Sequence, residues 1–178
     1  MIRGINVGGH RAVRMDGLRA LFEGLGLRNP VTYLQSGNVV FQSPDPGEDG
    51  HALAIERCLR EECGLKVAVA VRSSNAMTRV LRANPIAGRP GIDPRFLHAT
   101  FLIHPDGRPS LEGIGIPLGA GEEAVIVDSV IYVYCPNGYG TTKINNGFFE
   151  RKLSARATTR NWQTVTALEQ MARGGHKG

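Results

Sequence analysis

Three polar clusters of the sequence combine arginine or amide side chains with residues that favour turns. They occupy residues 3–9, 35–38 and 158–162. A guanidinium binds a carboxylate or phosphate through parallel hydrogen bonds, and the free backbone N–H groups of a glycine turn or a helix start bind the same anions. The clusters therefore predict an anion site. Its candidate residues are Arg3, Asn6, Gln35, Ser36, Asn38, Arg160 and Asn161, with Lys143 added from the glycine-containing segment 139–143.

Each cluster also has a purely structural interpretation, and the residues alone leave both interpretations open. The glycine pair at 8–9 suits a strand-to-helix turn, and residues 37–38 suit a hairpin because Gly and Asn tolerate positive φ. The threonine pair at 158–159 would cap a helix, with Asn161 in its first turn, and Lys143 lies where another helix is expected to begin. Turn chemistry does not explain Gln35.

The sequence contains no recognisable catalytic constellation. Its five histidines show no metal-ligand spacing, and it has no phosphate loop, dinucleotide fingerprint or Gly-x-Ser-x-Gly elbow. Cys58, Cys63 and Cys135 are odd in number and lack a Cys-x-x-Cys pattern, which argues against a disulfide framework and a zinc ribbon. We predict no metal and no cofactor, and the sequence does not decide whether the protein is an enzyme.

Positive charge is concentrated at the two ends of the chain. The net charge is +5, with a balance of +3 over residues 1–20 and +5 over residues 139–178, so the middle carries −3. If the fold brings the ends together, the surface gains a positive field suited to an anion. The alternative is ordinary solvated charge.

Hydrophobic periodicity predicts an α+β fold of two packed, ferredoxin-like subdomains with antiparallel sheets. The first subdomain, 1–84, has the order β-α-β-β-α-β and a connecting helix, whereas the second, 95–178, is degenerate and ends in two helices. Residues 85–94 form a Gly- and Pro-rich connection. The predicted strands are 2–7, 31–35, 39–43, 67–71, 96–104, 124–127 and 130–135, and the predicted helices are 15–25, 49–63, 74–83, 142–153 and 159–172.

No apolar run resembles a signal peptide or a membrane-spanning helix. We therefore expect a cytoplasmic protein with no membrane partner. The sequence does not indicate an oligomeric state.

Taken together, the segments 3–9, 33–41 and 158–165 resemble the bacterial family called domain of unknown function 1697. The resemblance covers nearly the whole chain and implies ferredoxin-like subdomains with no assigned activity, so no catalytic residue can be carried over. Members of the family usually have several further residues before the first segment. The resemblance therefore implies that the first strand is short here, and we expect a shortened central strand to lower stability.

These observations favour a binding protein whose ligand is a small anion, such as a nucleotide or a phosphate-bearing metabolite. The ligand would lie in a basic pocket between the subdomains. One alternative is a single-stranded nucleic-acid-binding module, although the first predicted strand lacks the aromatic residues on which such modules stack bases. Another alternative is a protein-interaction adaptor, which would expose an apolar patch on the sheet.

Overall fold

The computed structural model describes residues 1–6, 13–105 and 107–174. The chain forms two compact units: the first contains Met1–Met77 and Leu168–Gly178, and the second contains Thr78–Ala167. The connection predicted at 85–94 lies within the second unit. The predicted glycine turn at 8–9 lies outside the described residues.

The first unit contains two amphipathic helices and a hairpin. Its elements are α1 (Met15–Gly24), β1 (Arg28–Tyr33), β2 (Asn38–Gln42), α2 (Glu48–Cys63) and the beginning of α3 (Ser74–Arg82). The two predicted helix stops are confirmed, since Gly26 and Gly64 have φ values of +75° and +67°. Glycine adopts this left-handed conformation without the Cβ clash of other residues.

The first and fourth predicted strands are much shorter than predicted. They meet at one antiparallel bridge between Ile2 and Val69. Backbone hydrogen bonds on either side, from Arg3 N to Ala68 O and from Ala70 N to Met1 O, extend this contact. The segments thus adjoin each other as in a ferredoxin-like sheet, whereas β1 and β2 form the two-stranded antiparallel ladder.

The second unit is built on a four-stranded antiparallel sheet in the order β4-β5-β3-β6. Strands β3 and β6 flank a loop, a hairpin and α4, and α5 follows, with its residues from Leu168 onward belonging to the first unit. The bounds are β3 (Leu97–Ile103), β4 (Glu123–Val127), β5 (Val130–Tyr134), α4 (Asn146–Leu153), β6 (Arg156–Asn161) and α5 (Trp162–Arg173). This is the strand order of a split β-α-β sheet. The described residues between β3 and β4 contain no helix, where that arrangement usually has one.

Two predictions for the end of the chain were wrong. Residues 156–161, whose second half was assigned to the last helix, form β6, and the helix before them begins at residue 146 instead of 142. The caps are asparagines: Asn145 Oδ1 accepts from Phe148 N at 3.2 Å, and Asn161 Oδ1 accepts from Thr164 N at 2.8 Å.

Each unit has a hydrophobic core of its own. The first core joins both helices to the N-terminal segment through Ile2, Leu18, Phe22, Ile55 and Leu59. The second packs α4 on one face of the large sheet through Leu102, Ile131, Val133, Phe149 and Ala157. The described residues include no helix that could cross a bilayer. The architecture is an α+β fold with two antiparallel sheets, as predicted.

Candidate ligand cavity and predicted site residues

The first unit contains a cavity of about 340 Å³, named here the Arg72 cavity. Its wall is made by β2, the loop at 43–47, the start of α2 and the segment 69–74 that leads into α3. Most of the lining is apolar. The apolar side chains include Phe22, Phe41, Ile55, Val69, Met77 and Leu168.

Arg72 places a guanidinium at this apolar wall. Its side chain is 15% exposed, Nη1 donates to the carbonyl oxygen of Val71 at 2.7 Å, and Nη1 lies 4.0 Å from Glu48 Oε2. Burial lowers the pKa of Arg72, and the carboxylates of Glu48 and Asp49 oppose that shift. Because an arginine begins with a very high pKa, the group stays charged at neutral pH. The cavity therefore offers a partly desolvated positive charge.

Glu48 is fixed next to that charge. It lies in the first turn of α2, and its Oε1 accepts a hydrogen bond from Ser73 N at 2.7 Å, just before α3 begins. A carboxylate is favourable at both places because helix N-termini carry partial positive charge. Glu48 thus joins the starts of two helices and holds the Arg72 segment against α2.

Aromatic rings form one side of the cavity. Phe41 contacts Phe22 and His51 edge to face, with centroid distances of 5.5 and 5.7 Å. The Nε2 atom of His51 lies 2.9 Å from the carbonyl oxygen of Asp45, so Nε2 is the donor. The arrangement provides apolar ring surface with one polar ring atom.

Several polar atoms of the cavity wall have unused hydrogen-bonding capacity. Asp45 Oδ1 accepts from Gly47 N at 2.8 Å. Within the described parts of the chain, Asp45 Oδ2, His51 Nδ1 and Ser74 Oγ have no hydrogen-bond partner. A ligand could therefore gain polar contacts here without breaking existing ones. No sequence motif predicted this site, for which the only signal was Arg72-Ser73-Ser74 after the alternating valines 67, 69 and 71.

The predicted site residues of the first unit cluster around the hairpin turn. Asn6 Nδ2 donates to Gln35 O at 2.9 Å and to Val13 O at 3.0 Å, and Asn6 Oδ1 accepts from Val13 N at 2.7 Å. Asn38 is fully buried, and its Nδ2 donates to Ser36 Oγ at 3.0 Å. These contacts explain both asparagine side chains by local structure. Gln35 is exposed.

Arg3 joins the same region through its backbone, because Arg3 N donates to Ala68 O at 2.8 Å. The neighbouring Ile2 N donates to Gly37 O at 2.8 Å. The described part of the first predicted cluster, residues 3–6, is therefore brought together with the second cluster within the first unit. Their role as ligand-binding residues stays a prediction.

Arg160, Asn161 and Lys143 belong to the second unit. Arg160 Nη1 donates to Thr158 Oγ1 at 2.9 Å and to Thr159 O at 2.8 Å, and burial lowers the pKa of Arg160 to about 10. Asn161 caps α5, and Lys143 is exposed in the loop before α4. A ligand-binding role for these residues also stays a prediction.

A polar network that the sequence did not predict lies on the α4 side of the large sheet. Tyr139 Oη donates to Thr159 Oγ1 at 3.0 Å, and Thr159 Oγ1 donates to Asn146 Oδ1 at 2.7 Å. Thr100 must then donate to Thr159, because their hydroxyl oxygens are 2.7 Å apart and Thr159 has only one hydrogen to give. His98 stacks on Tyr139 at 4.5 Å. Burial raises the pKa of Tyr139, so its hydroxyl stays a donor.

This network and Arg160 lie on opposite faces of the sheet. Successive strand residues point to opposite faces, so the side chains of Thr159 and Arg160 leave β6 in opposite directions. No group of three or more histidine, cysteine, aspartate or glutamate side chains in the described part of the chain could hold a metal ion. The network connects α4 to β3 and β6, and the Thr159 hydroxyl at its centre already donates one hydrogen bond and accepts two.

Comparison with known proteins gives a family and a fold. No curated protein matches the chain. Over 97% of this chain and 96% of the other, the structure is similar to that of a conserved bacterial protein from Streptococcus pneumoniae, with a TM-score of 0.69 and 22% identity. The family model "protein of unknown function (DUF1697)" matches residues 1–132. Because this match covers most of the sequence, the chain belongs to the DUF1697 family.

Proposed function

We propose that the protein binds a small organic ligand carrying a carboxylate or phosphate, in the Arg72 cavity, with the anionic group at Arg72. One observation carries the proposal: a largely buried guanidinium lies on the wall of a cavity whose other lining is mainly apolar. Small-molecule sites typically combine roughly 300–1,000 Å³ of apolar space with a few polar groups that orient the ligand. The cavity falls within that range.

Desolvation makes Arg72 a strong partner for an anion. Water screens an exposed arginine, whereas a charge with 15% of its side chain exposed interacts in a medium of lower effective dielectric. The guanidinium already bears the cost of leaving water, which its lowered pKa reflects. An incoming carboxylate would offset part of that cost, while the ring surfaces of Phe22 and Phe41 would cover the apolar remainder of the ligand.

The sequence predicts a different set of ligand-binding residues, which includes Arg160, and this prediction is separate from the proposal for the Arg72 cavity. It can be tested in the same experiment, because each location depends on a different arginine. The nucleic-acid alternative receives less support, since every residue of β3 and β5 is buried and bases could not stack on these central strands.

The test is isothermal titration calorimetry with three probes that share a phenyl ring: 3-phenylpropanoate, phenyl phosphate and phenylalanine. We expect at least one probe to bind, and Arg72→Gln to weaken it about 10-fold or more, because a charge-assisted hydrogen bond contributes about 1.5–3 kcal/mol. Arg57→Gln, which removes an exposed arginine of α2, is the matched control.

Three results decide the proposal. Loss of binding in Arg72→Gln with unchanged affinity in Arg57→Gln and Arg160→Gln supports the cavity. Loss confined to Arg160→Gln supports the location predicted from the sequence instead. The proposal is wrong if no probe binds, or if Arg72→Gln binds as tightly as Arg57→Gln. Circular dichroism of each variant establishes that the fold is retained.

A further inference from the structure

The charged side chains lining the Arg72 cavity are of both signs, and this restricts the ligand. Among the described residues of the wall, they are Arg72, Glu48 and Asp45, one positive and two negative. A purely anionic ligand would meet two carboxylates as well as the Arg72 guanidinium and the α-ammonium of Met1, which also lines the cavity. A purely cationic ligand would meet the Arg72 guanidinium within the same small space.

The two carboxylates are already held in position. Glu48 Oε1 accepts from Ser73 N at 2.7 Å and Glu48 Oε2 lies 4.0 Å from Arg72 Nη1, a distance longer than a hydrogen bond. Asp45 Oδ1 accepts from Gly47 N at 2.8 Å, which leaves Oδ2 available. Neither carboxylate needs to reorganise before a donor approaches, so the wall is prepared for a ligand N–H group as well as for an anion.

We infer that the ligand is a zwitterion of the amino-acid class: its carboxylate at Arg72, its ammonium at the carboxylates of Asp45 and Glu48, and an apolar or aromatic side chain against Phe22 and Phe41. This inference rests on the proposed function and names its ligand class. Each head-group charge then meets an opposite charge. The apolar lining takes the remainder of the molecule.

The same reasoning disfavours a phosphate-bearing ligand in this cavity. A phosphate monoester carries about −1.5 to −2 charges near neutral pH. Repulsion from Asp45 and Glu48 would act on the whole of that charge, and these two carboxylates already offset the two cations of the wall, the Arg72 guanidinium and the Met1 ammonium. A carboxylate with an ammonium on the neighbouring carbon avoids this imbalance.

Calorimetry with three matched probes tests the inference. Phenylalanine, 3-phenylpropanoate and 2-phenylethylamine share the ring and chain but present both charges, the negative charge alone and the positive charge alone. We expect phenylalanine to bind about 10-fold or more tightly than either single-charge probe. Asp45→Asn and Glu48→Gln keep the oxygens that accept from Gly47 N and Ser73 N. In each variant, the ratio of the affinity for phenylalanine to that for 3-phenylpropanoate should fall at least 5-fold.

The outcomes separate this inference from the proposed function. If 3-phenylpropanoate binds as tightly as phenylalanine and still depends on Arg72, the anion site stands and the zwitterion inference is wrong. If phenylalanine is preferred but neither carboxylate variant changes the preference, the inference is also wrong. If no probe shows Arg72-dependent binding, both fail together.

Discussion

Replacing Gly37 with alanine should destabilise the first unit far more than the same change at Gly26. Both glycines have φ of +75°, so both substitutions incur the same left-handed strain, about 1–2 kcal/mol. The difference lies in the space around them. A Cβ at Gly26 would meet nothing within 4 Å, whereas at Gly37 it would lie 2.8 Å from Ile5 Cγ1 and 3.1 Å from Ile2 Cβ.

The crowded atoms around Gly37 have little freedom to move. Ile2 and Ile5 are fully buried, and Ile2 N donates to Gly37 O at 2.8 Å, so the two backbones cannot separate without losing that bond. Inserting a methyl group into a packed site costs about 1–3 kcal/mol. We therefore expect Gly37→Ala to lower the free energy of unfolding by about 2–5 kcal/mol, and Gly26→Ala by about 1–2 kcal/mol.

Equilibrium urea unfolding, followed by far-ultraviolet circular dichroism, measures both losses. Amide hydrogen exchange in α1 and α2 assigns them to the first unit, because these helices lie within it. If Gly37→Ala loses no more stability than Gly26→Ala, the hairpin glycine is not explained by packing against the N-terminal segment. A ligand-binding role for the cluster at 35–38 would then become the stronger explanation.

Two further predictions concern the second unit. Thr159→Val should lower the free energy of unfolding of this unit by about 2–3 kcal/mol in urea unfolding, because it removes the hydroxyl at the centre of the network. Thr141→Val, at an exposed loop position, is the control and should lower it by under about 1 kcal/mol. Equal losses would contradict that role. Burial lowers the pKa of His98 below its unfolded value, so the unfolded chain gains the proton first and stability should fall as pH drops below about 6.5. His98→Gln should reduce this slope of unfolding free energy against pH, and an unchanged slope would refute the assignment.

Local signals in the sequence predicted most of the helices and the two hairpins. The apolar stripe beginning at Met15 and the glycines that follow α1 and α2 are enough to locate these helices and their ends. Helix periodicity and left-handed stops are properties of neighbouring residues, so they can be seen in the sequence. Strand β6 was missed for the opposite reason. Its threonines favour a helix cap as readily as a strand, and the deciding partner is β3, some sixty positions earlier, where Thr100 faces Thr159.

Sequence motifs could not identify the candidate site, for a related reason. The Arg72 cavity collects residues from five separated parts of the chain, and none of its charged groups has a spacing that indicates a particular chemistry. Turn chemistry did locate the clusters at 3–9 and 35–38, and the described parts of these clusters meet in space. Turn chemistry could not distinguish an amide side chain that donates to the backbone, as Asn6 does to Gln35 O and Asn38 does to Tyr33 O, from one that is available for a ligand.

The contrast between the two units explains why we place the ligand in the first. In the second unit, the polar side chains of the network on the α4 face hydrogen-bond to one another. Thr159 has three hydroxyl or amide partners, and its single hydroxyl hydrogen is donated to Asn146. A ligand entering there would have to break contacts before making any. In the Arg72 cavity, by contrast, Asp45 Oδ2 and Ser74 Oγ have no partner within the described residues. Bound polar groups would therefore add hydrogen bonds there, which makes the cavity the better place for binding.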